Sequence, residues 1–167
     1  ITGTLLSPYA SSKKSTELIQ QAFVSCYGME IIGFRYFNVF GPRQDPNGPY
    51  AAVIPKFISM MMDGKTPQIF GDGEQSRDFT HIKDIIRGTY LAWKKDLNKE
   101  YLLGTGKKYQ IIEIAKLFNH KINIIPFRKG ERFSSLKISN DAYKILGYKP
   151  KIKIEDYIKK FVKNNKK

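Results

Sequence analysis

Tyr9 and Lys13 stand four residues apart, directly after Ser7-Pro8. Side chains at i and i+4 share one face of a helix, so this spacing can bring a phenol and an ammonium into one site. An isolated tyrosine has a pKa of about 10, and a neighbouring cation favours its phenolate form. A tyrosine beside a lysine is therefore a proton-transfer device in outline, a phenolic base assisted by a positive charge. The spacing alone does not single the pair out, because Tyr90 and Lys94 repeat it in a lysine-rich chain. Its weight comes from the residues around it.

Those residues predict a long helix. Ser7 is a good N-cap and Pro8 a good first helical residue. Leu18, Ile19, Ala22, Phe23 and Cys26 recur at helical spacing, and Gly28 suits a C-cap. Cys26 is expected on the apolar side, as a small buried hydrophobe. Residues 29–36 read as a short buried strand. Residues 38–50 read as a loop, with Gly41, Pro42, Pro46, Asn47, Gly48 and Pro49 as turn formers. Helices are expected over 54–62, 83–95, 111–118, 140–146 and 154–162. Short strands are expected over 68–70, 79–82, 101–103 and 122–125. Helices alternate with short strands, so the fold class is α/β.

Composition limits the readings further. The chain has 167 residues, enough for one domain with a core, and 41% of them are hydrophobic, which argues against disorder. Lys and Arg total 29 against 15 acids, a net charge of +14. The lysine-rich end (Lys159, Lys160, Lys163, Lys166, Lys167) reads as a solvated helix face. No nucleic-acid recognition pattern accompanies the charge, so no nucleic-acid partner is expected. A single cysteine allows no disulfide within the chain and fits a cytoplasmic protein. No apolar run approaches the roughly 20 residues of a membrane span, so no membrane association is expected. His81 and His120 suggest no metal site. Gly71-x-Gly73 and Gly104-x-Gly106 lack the third glycine of a dinucleotide fingerprint.

Further motifs follow the tyrosine in order: Arg35-Tyr36-Phe37-Asn38-Val39-Phe40-Gly41-Pro42-Arg43-Gln44, then Val53-Ile54-Pro55-x-Phe57. After them come Ile69-x-Gly71-Asp72-Gly73-x-Gln75-Ser76-Arg77-Asp78-Phe79, Arg128-x-Gly130-Glu131 and Leu146-Gly147-Tyr148-x-Pro150. Together with Ser7-Pro8-Tyr9-Ala10-Ser11-Ser12-Lys13, this set resembles the extended short-chain dehydrogenase/reductases, in their nucleotide-sugar epimerase/dehydratase branch. Within that branch it looks most like the UDP-N-acetylhexosamine 4-epimerases. The resemblance implies the C-terminal half of an extended Rossmann-type fold, with the smaller substrate-binding subdomain and without the N-terminal dinucleotide-binding half. Residues 1–37 would then be the remainder of the Rossmann domain. Residues 38–167 would be mainly the substrate subdomain, with returning Rossmann elements near 82–103.

The resemblance also implies roles. The cofactor is NAD and the substrate a UDP-sugar. Tyr9 would be the catalytic base, with Lys13 assisting it and holding the nicotinamide ribose. Tyr36 and Phe37 would lie beside the nicotinamide. Arg77 and Arg128 would grip the diphosphate, for which the planar arginine fork is suited. Asn38, Gln44, Ala52, Val53, Ile69, Gln75, Glu131 and Ser135 would complete the substrate pocket. Ser135 would line the space beside the 2-substituent of the sugar, where a small residue admits an acetamido group and a tyrosine would exclude it. Asp72 and Asp78 would shape turns and hold no metal. Ile138 and Lys129 depart from the aspartate and proline common in relatives.

The leading expectation is part of a 4-epimerase for UDP-GlcNAc and UDP-GalNAc, or UDP-glucose and UDP-galactose, with the helix after Ser7 forming a homodimer. A sugar-nucleotide 4,6-dehydratase is an alternative, although that branch carries a second asparagine where this chain has Val39. A non-catalytic RNA-associated scaffold is another, against which stands the intact Tyr9–Lys13 pair.

Overall fold

The structure, a computed structural model, describes residues 7–48, 51–95, 99–127, 134 and 139–165. Helix α1 (Pro8–Tyr27) begins where the cap chemistry predicts. The Ser7 hydroxyl accepts the Ala10 N–H at 3.2 Å. Gly28, at φ 62°, ends the helix in the left-handed region and donates its N–H to the Val24 carbonyl. None of the residues of α1 is buried. Cys26 is exposed, so the expectation that it fills a core position is corrected. The apolar stripe of α1 is real, but it faces no other element of the described structure: Leu18, Ile19 and Phe23 are all exposed.

Strand β1 (Gly33–Tyr36) is shorter than expected and pairs in parallel with β6 (Glu100–Leu103). The Phe37 N–H still reaches the Leu103 carbonyl at 3.2 Å. One residue later the chain changes partner. Strand β2 (Asn38–Phe40) pairs in parallel with β5 (Phe79–His81). Residues 38–40 are therefore strand and not loop, held by the β5 ladder and by Phe40, which is fully buried.

Helix α2 (Val53–Met62) leads to β3 (Gln68–Phe70), which pairs in parallel with β8 (Asn123–Ile125). A two-residue antiparallel pair, β4 (Ser76–Arg77) with β7 (Tyr109–Gln110), has no counterpart in the expected elements. Helices α3 (Ile82–Lys95), α5 (Asp141–Leu146) and α6 (Ile154–Asn164) lie where periodicity puts them. Helix α4 (Ile111–Lys116) ends earlier than expected, in a turn through Asn119.

Two apolar clusters hold these elements. The larger gathers Phe40, Ile54, Phe57, Ile69, Phe79, Ile114, Phe118 and Ile158 between α2, α4, α6 and strands β2, β3 and β5. The smaller packs Ile85 and Ala92 of α3 and Ala142 and Leu146 of α5 against Tyr101 and Leu103 of β6. Gly88 allows this close approach, since a Cβ there would lie 2.9 Å from both Leu103 and Tyr148. Asp84 is buried at the start of α3. One of its carboxylate oxygens accepts the N–H groups of Lys151 and Ile152, each at 2.9 Å, which fastens the approach to α6 onto α3.

His81 sits between the rings of Phe40 and Tyr157, at centroid distances of 5.2 and 5.6 Å. Its Nδ1 accepts the Lys83 N–H at 3.2 Å, so the ring is bonded as the neutral form. Burial holds its pKa below the ordinary histidine value; nearby Asp84 opposes this and Lys83 adds to it. A lowered folded pKa means that the unfolded chain takes up the proton first. The stabilisation is thus complete above about pH 6.5 and lost as pH falls through the lower folded value. Urea midpoints measured at pH 7.5 and at pH 5 should fall for the natural chain and stay level for His81→Phe. An equal fall in the variant would assign the pH dependence to other groups.

Candidate active site

Tyr9, Lys13 and Glu17 follow one another at four-residue steps on one face of α1. Lys13 Nζ lies 5.3 Å from the centroid of the Tyr9 ring, and both residues are exposed. Lys94 makes a similar contact with Tyr90 at 5.7 Å on α3, so the contact by itself is not diagnostic. What distinguishes the first pair is its connection to β1. Arg35 donates to both carboxylate oxygens of Glu17, with Nη2–Oε2 at 2.6 Å, and Lys14 Nζ adds a third contact at 3.0 Å. The Arg35 bonds, against the opposing effect of burial, hold the Glu17 carboxyl below its ordinary pKa.

Alternation along β1 sorts the next residues. Arg35 faces α1. Tyr36 faces the other way, stacked on Phe34 at 5.7 Å and with its hydroxyl 3.4 Å from Thr89 of α3. The Tyr36 side chain is thus on the opposite side of β1 from Arg35 and Glu17.

Asn38 donates its amide to the Asp78 carbonyl at 3.3 Å. Asp78 itself is fully buried. Its carboxylate accepts from the Thr105 N–H at 2.9 Å, the Thr105 hydroxyl at 2.6 Å and the Gly106 N–H at 2.7 Å. Asp72 accepts the Glu74 N–H at 2.9 Å. Both acids close turns, and no cluster with the makings of a metal site occurs among the described residues.

Arg77, half-buried, donates to the Ser76 carbonyl at 2.9 Å. Gln75 is buried, with its amide NH₂ bonded to the Phe70 carbonyl and its Oε1 without a partner. Gln44 donates to the Val39 carbonyl at 3.1 Å. Ala52 is the N-cap of α2 and offers no side-chain cap bond; Val53 is the first helical residue. The Ile69 side chain lies in the core at 2% exposure, so only its main chain could meet a ligand. Arg128, Glu131 and Ser135 lie outside the described residues. Ser134 is described: its hydroxyl accepts from Ser76 at 3.2 Å across a parallel bridge, which brings the neighbour of Ser135 against β4.

The structure therefore joins Asn38, Asp78, Arg77, Gln75 and Ser134 along β2, β4 and β5. Glu17 and Arg35 connect the Tyr9–Lys13 face to the strand leading into them. Neither Glu17 nor Asp78 is assigned a binding role by the motifs. The only signal for Glu17 is its position four residues after Lys13.

These residues suit one end of NAD. A phenol and an ammonium on one helix face can meet ribose hydroxyls. The pyrophosphate needs a glycine turn that opens a helix. Among the described residues the two Gly-x-Gly turns lead instead to β4 and β7.

Residues 2–104 match the NAD dependent epimerase/dehydratase family. The chain belongs to that family. Its structure is similar to a UDP-N-acetylglucosamine 4-epimerase from Methanobrevibacter ruminantium, solved in complex with UDP-N-acetylmuramic acid. The two are 41% identical with a TM-score of 0.84, over 94% of this chain and 53% of that one. The UDP-glucuronate 4-epimerase of Thermodesulfobacterium geofontis is 39% identical over 167 residues, covering 95% of this chain and 50% of the relative. A dTDP-glucose 4,6-dehydratase of an Actinoplanes species is 33% identical, covering 91% of this chain and 49% of the relative. The chain thus spans about half the length of the family members it matches.

Calorimetric titration of the 167-residue chain with NAD should give no micromolar binding, because no helix N-terminus in the described residues is built for the pyrophosphate. Micromolar affinity would overturn this account of the site.

Proposed function

We propose that the chain is the catalytic-helix and substrate-binding part of an NAD-dependent UDP-sugar 4-epimerase that interconverts UDP-GlcNAc and UDP-GalNAc. The observation that carries this reading is the Tyr9–Lys13 pair on one face of a Ser7-capped helix, tied through Glu17 and Arg35 to β1, which ends two residues before Asn38. The 41% identity to a UDP-N-acetylglucosamine 4-epimerase supports the choice of sugar.

In this reading Tyr9 takes the proton of the sugar 4-hydroxyl and returns it after the keto sugar has turned its other face. Lys13 sets its positive charge beside the Tyr9 ring and holds a ribose hydroxyl. NAD, when bound, supplies the acceptor and donor of the C4 hydride. Arg77 and Arg128 hold the diphosphate, and Asn38, Gln44, Ala52 and Val53 orient the sugar side. Gln75, Glu131 and the main chain at Ile69 serve the nucleoside side. Residues 1–37 form the part that meets the cofactor, with Tyr36 and Phe37 at its end, and residues 38–167 mainly the part that meets the substrate, with returning Rossmann elements near 82–103.

A 4,6-dehydratase is the second reading, favoured by the Actinoplanes relative. Against it stands Val39, whose side chain packs with the smaller apolar cluster and offers no polar group beside Asn38.

We further assign the exposed Leu18, Ile19 and Phe23 face of α1 to a homodimer contact. Light scattering should then report a dimer of the complete enzyme. A monomer across the micromolar range would contradict it.

The function is tested by joining the N-terminal half of the Methanobrevibacter enzyme to this chain and identifying the product. An equilibrium mixture of UDP-GlcNAc and UDP-GalNAc is expected, and a 4-keto-6-deoxy sugar would favour the dehydratase. In the same fusion, Tyr9→Phe should lower kcat by about 10²-fold or more with little change in KM. Ser135→Tyr should block the acetylated substrate by overpacking and spare UDP-glucose. Equal losses for both substrates would remove Ser135 from specificity.

A further inference from the structure

We propose that Arg35 is a positioning residue for Lys13, because it occupies the Glu17 carboxylate that would otherwise draw the Lys13 ammonium away from Tyr9. The inference rests on the reading of Tyr9 and Lys13 as the catalytic pair. It goes beyond that reading by giving a role to an ion pair outside it.

The geometry is specific. Tyr9, Lys13 and Glu17 lie on one helix face, so Lys13 has the phenol one turn before it and the carboxylate one turn after it. Glu17 Oε2 receives both Arg35 Nη2 at 2.6 Å and Lys14 Nζ at 3.0 Å, but Oε1 is bound by Arg35 Nε. Glu100, with Oε2 4.0 Å from Arg35 Nη2, draws the guanidinium from the other side. Without Arg35, Oε1 would lose that donor on a residue one turn from Lys13.

Strengths decide whether this matters. An exposed ion pair on a helix and a cation over an exposed aromatic ring are comparable in size. An unpaired Glu17 oxygen is therefore an effective competitor for Lys13. The two-pronged, charge-assisted bond from Arg35 is stronger than either, so it keeps the carboxylate engaged. Lys14 makes a single contact, to the other oxygen, so Oε1 is held by Arg35. A second consequence follows from α1 having no buried residue. Gln20, lying over Gly33, and the Glu17–Arg35 pair connect the helix to β1, so the same bond that guards Lys13 also fixes its distance from Asn38.

The test distinguishes guarding from mere anchoring. In the full chain, the ε-methylene protons of Lys13 should carry an upfield ring-current shift from Tyr9, assigned with Lys13→Arg and abolished by Tyr9→Leu. Arg35→Gln should lose that shift. Glu17→Gln breaks the same ion pair but removes the competing charge, so it should keep the shift. The double variant Glu17→Gln/Arg35→Gln should recover it. Loss of the shift in Glu17→Gln, its retention in Arg35→Gln, or failure of the double variant to recover it would each overturn the proposal. Should Arg35→Gln not fold, Arg35→Met takes its place, alone and combined with Glu17→Gln, with the same outcomes deciding. The measurement needs no turnover, so it is independent of whether the Tyr9→Phe assay supports the catalytic reading.

Discussion

A carboxylate removed from water must find donors, and Asp78 finds its three shortest in one turn. Its oxygens take the Thr105 N–H, the Thr105 hydroxyl and the Gly106 N–H, while its own carbonyl takes the Asn38 amide. Burying such a charge without partners is costly, so the chain can close here only when β2, β5 and the turn after β6 arrive together. That requirement fixes where β2 begins, at Asn38. Asn38, Arg77 and Ser134 inherit their places from it, through β2, β4 and the bridge to Ser76.

The two apolar clusters divide the remaining work. The smaller one seats β1 and β6 against α3, and the larger one seats β2, β3 and β5 among α2, α4 and α6. The chain changes strand partner at the single residue Phe37, and β2 then touches both clusters, Val39 the smaller and Phe40 the larger. The site residues therefore stand at a seam between two packed bodies, joined by continuous backbone and by Asp84, which binds the approach to α6. Helix α1 stands apart from both clusters. It depends on charge and hydrogen bonding where the other elements depend on burial.

Much of this is legible in the residues alone, for reasons that differ by element. Ser7, Pro8 and Gly28 mark the ends of α1 because cap chemistry is local. Helices α3 and α6 are legible because their apolar periodicity is long. Strand β2 is not, since three residues carry no periodicity and turn formers follow at once. The pair β4 and β7 is shorter still and exists only through tertiary contact. Cys26 is misjudged because an apolar helix stripe does not say what covers it. The order of motifs brings Tyr9, Lys13, Asn38 and Arg77 into view, but it cannot tell side chain from main chain, so the buried Ile69 stands in the motif beside residues that face outward. The Glu17–Arg35 pair escapes sequence reasoning because its partners are 18 positions apart and belong to different elements.

The change of partner at Phe37 has a mechanical meaning. Sliding a strand by one residue turns all of its side chains to the opposite face. For β1 that would carry Arg35 away from Glu17 and set Tyr36 against α1. A ladder of four residues, with one face against a helix that buries nothing, resists such a slip poorly. Strand β2 belongs to the same extended segment and is held to β5 by its own three-residue ladder. Neither ladder can shift unless the other shifts by the same step, and β2 could do so only by breaking the Asp78 cluster. Two short scales read against each other in this way work as a vernier, and they set the distance between the Glu17–Arg35 pair and Asn38 more finely than either would alone.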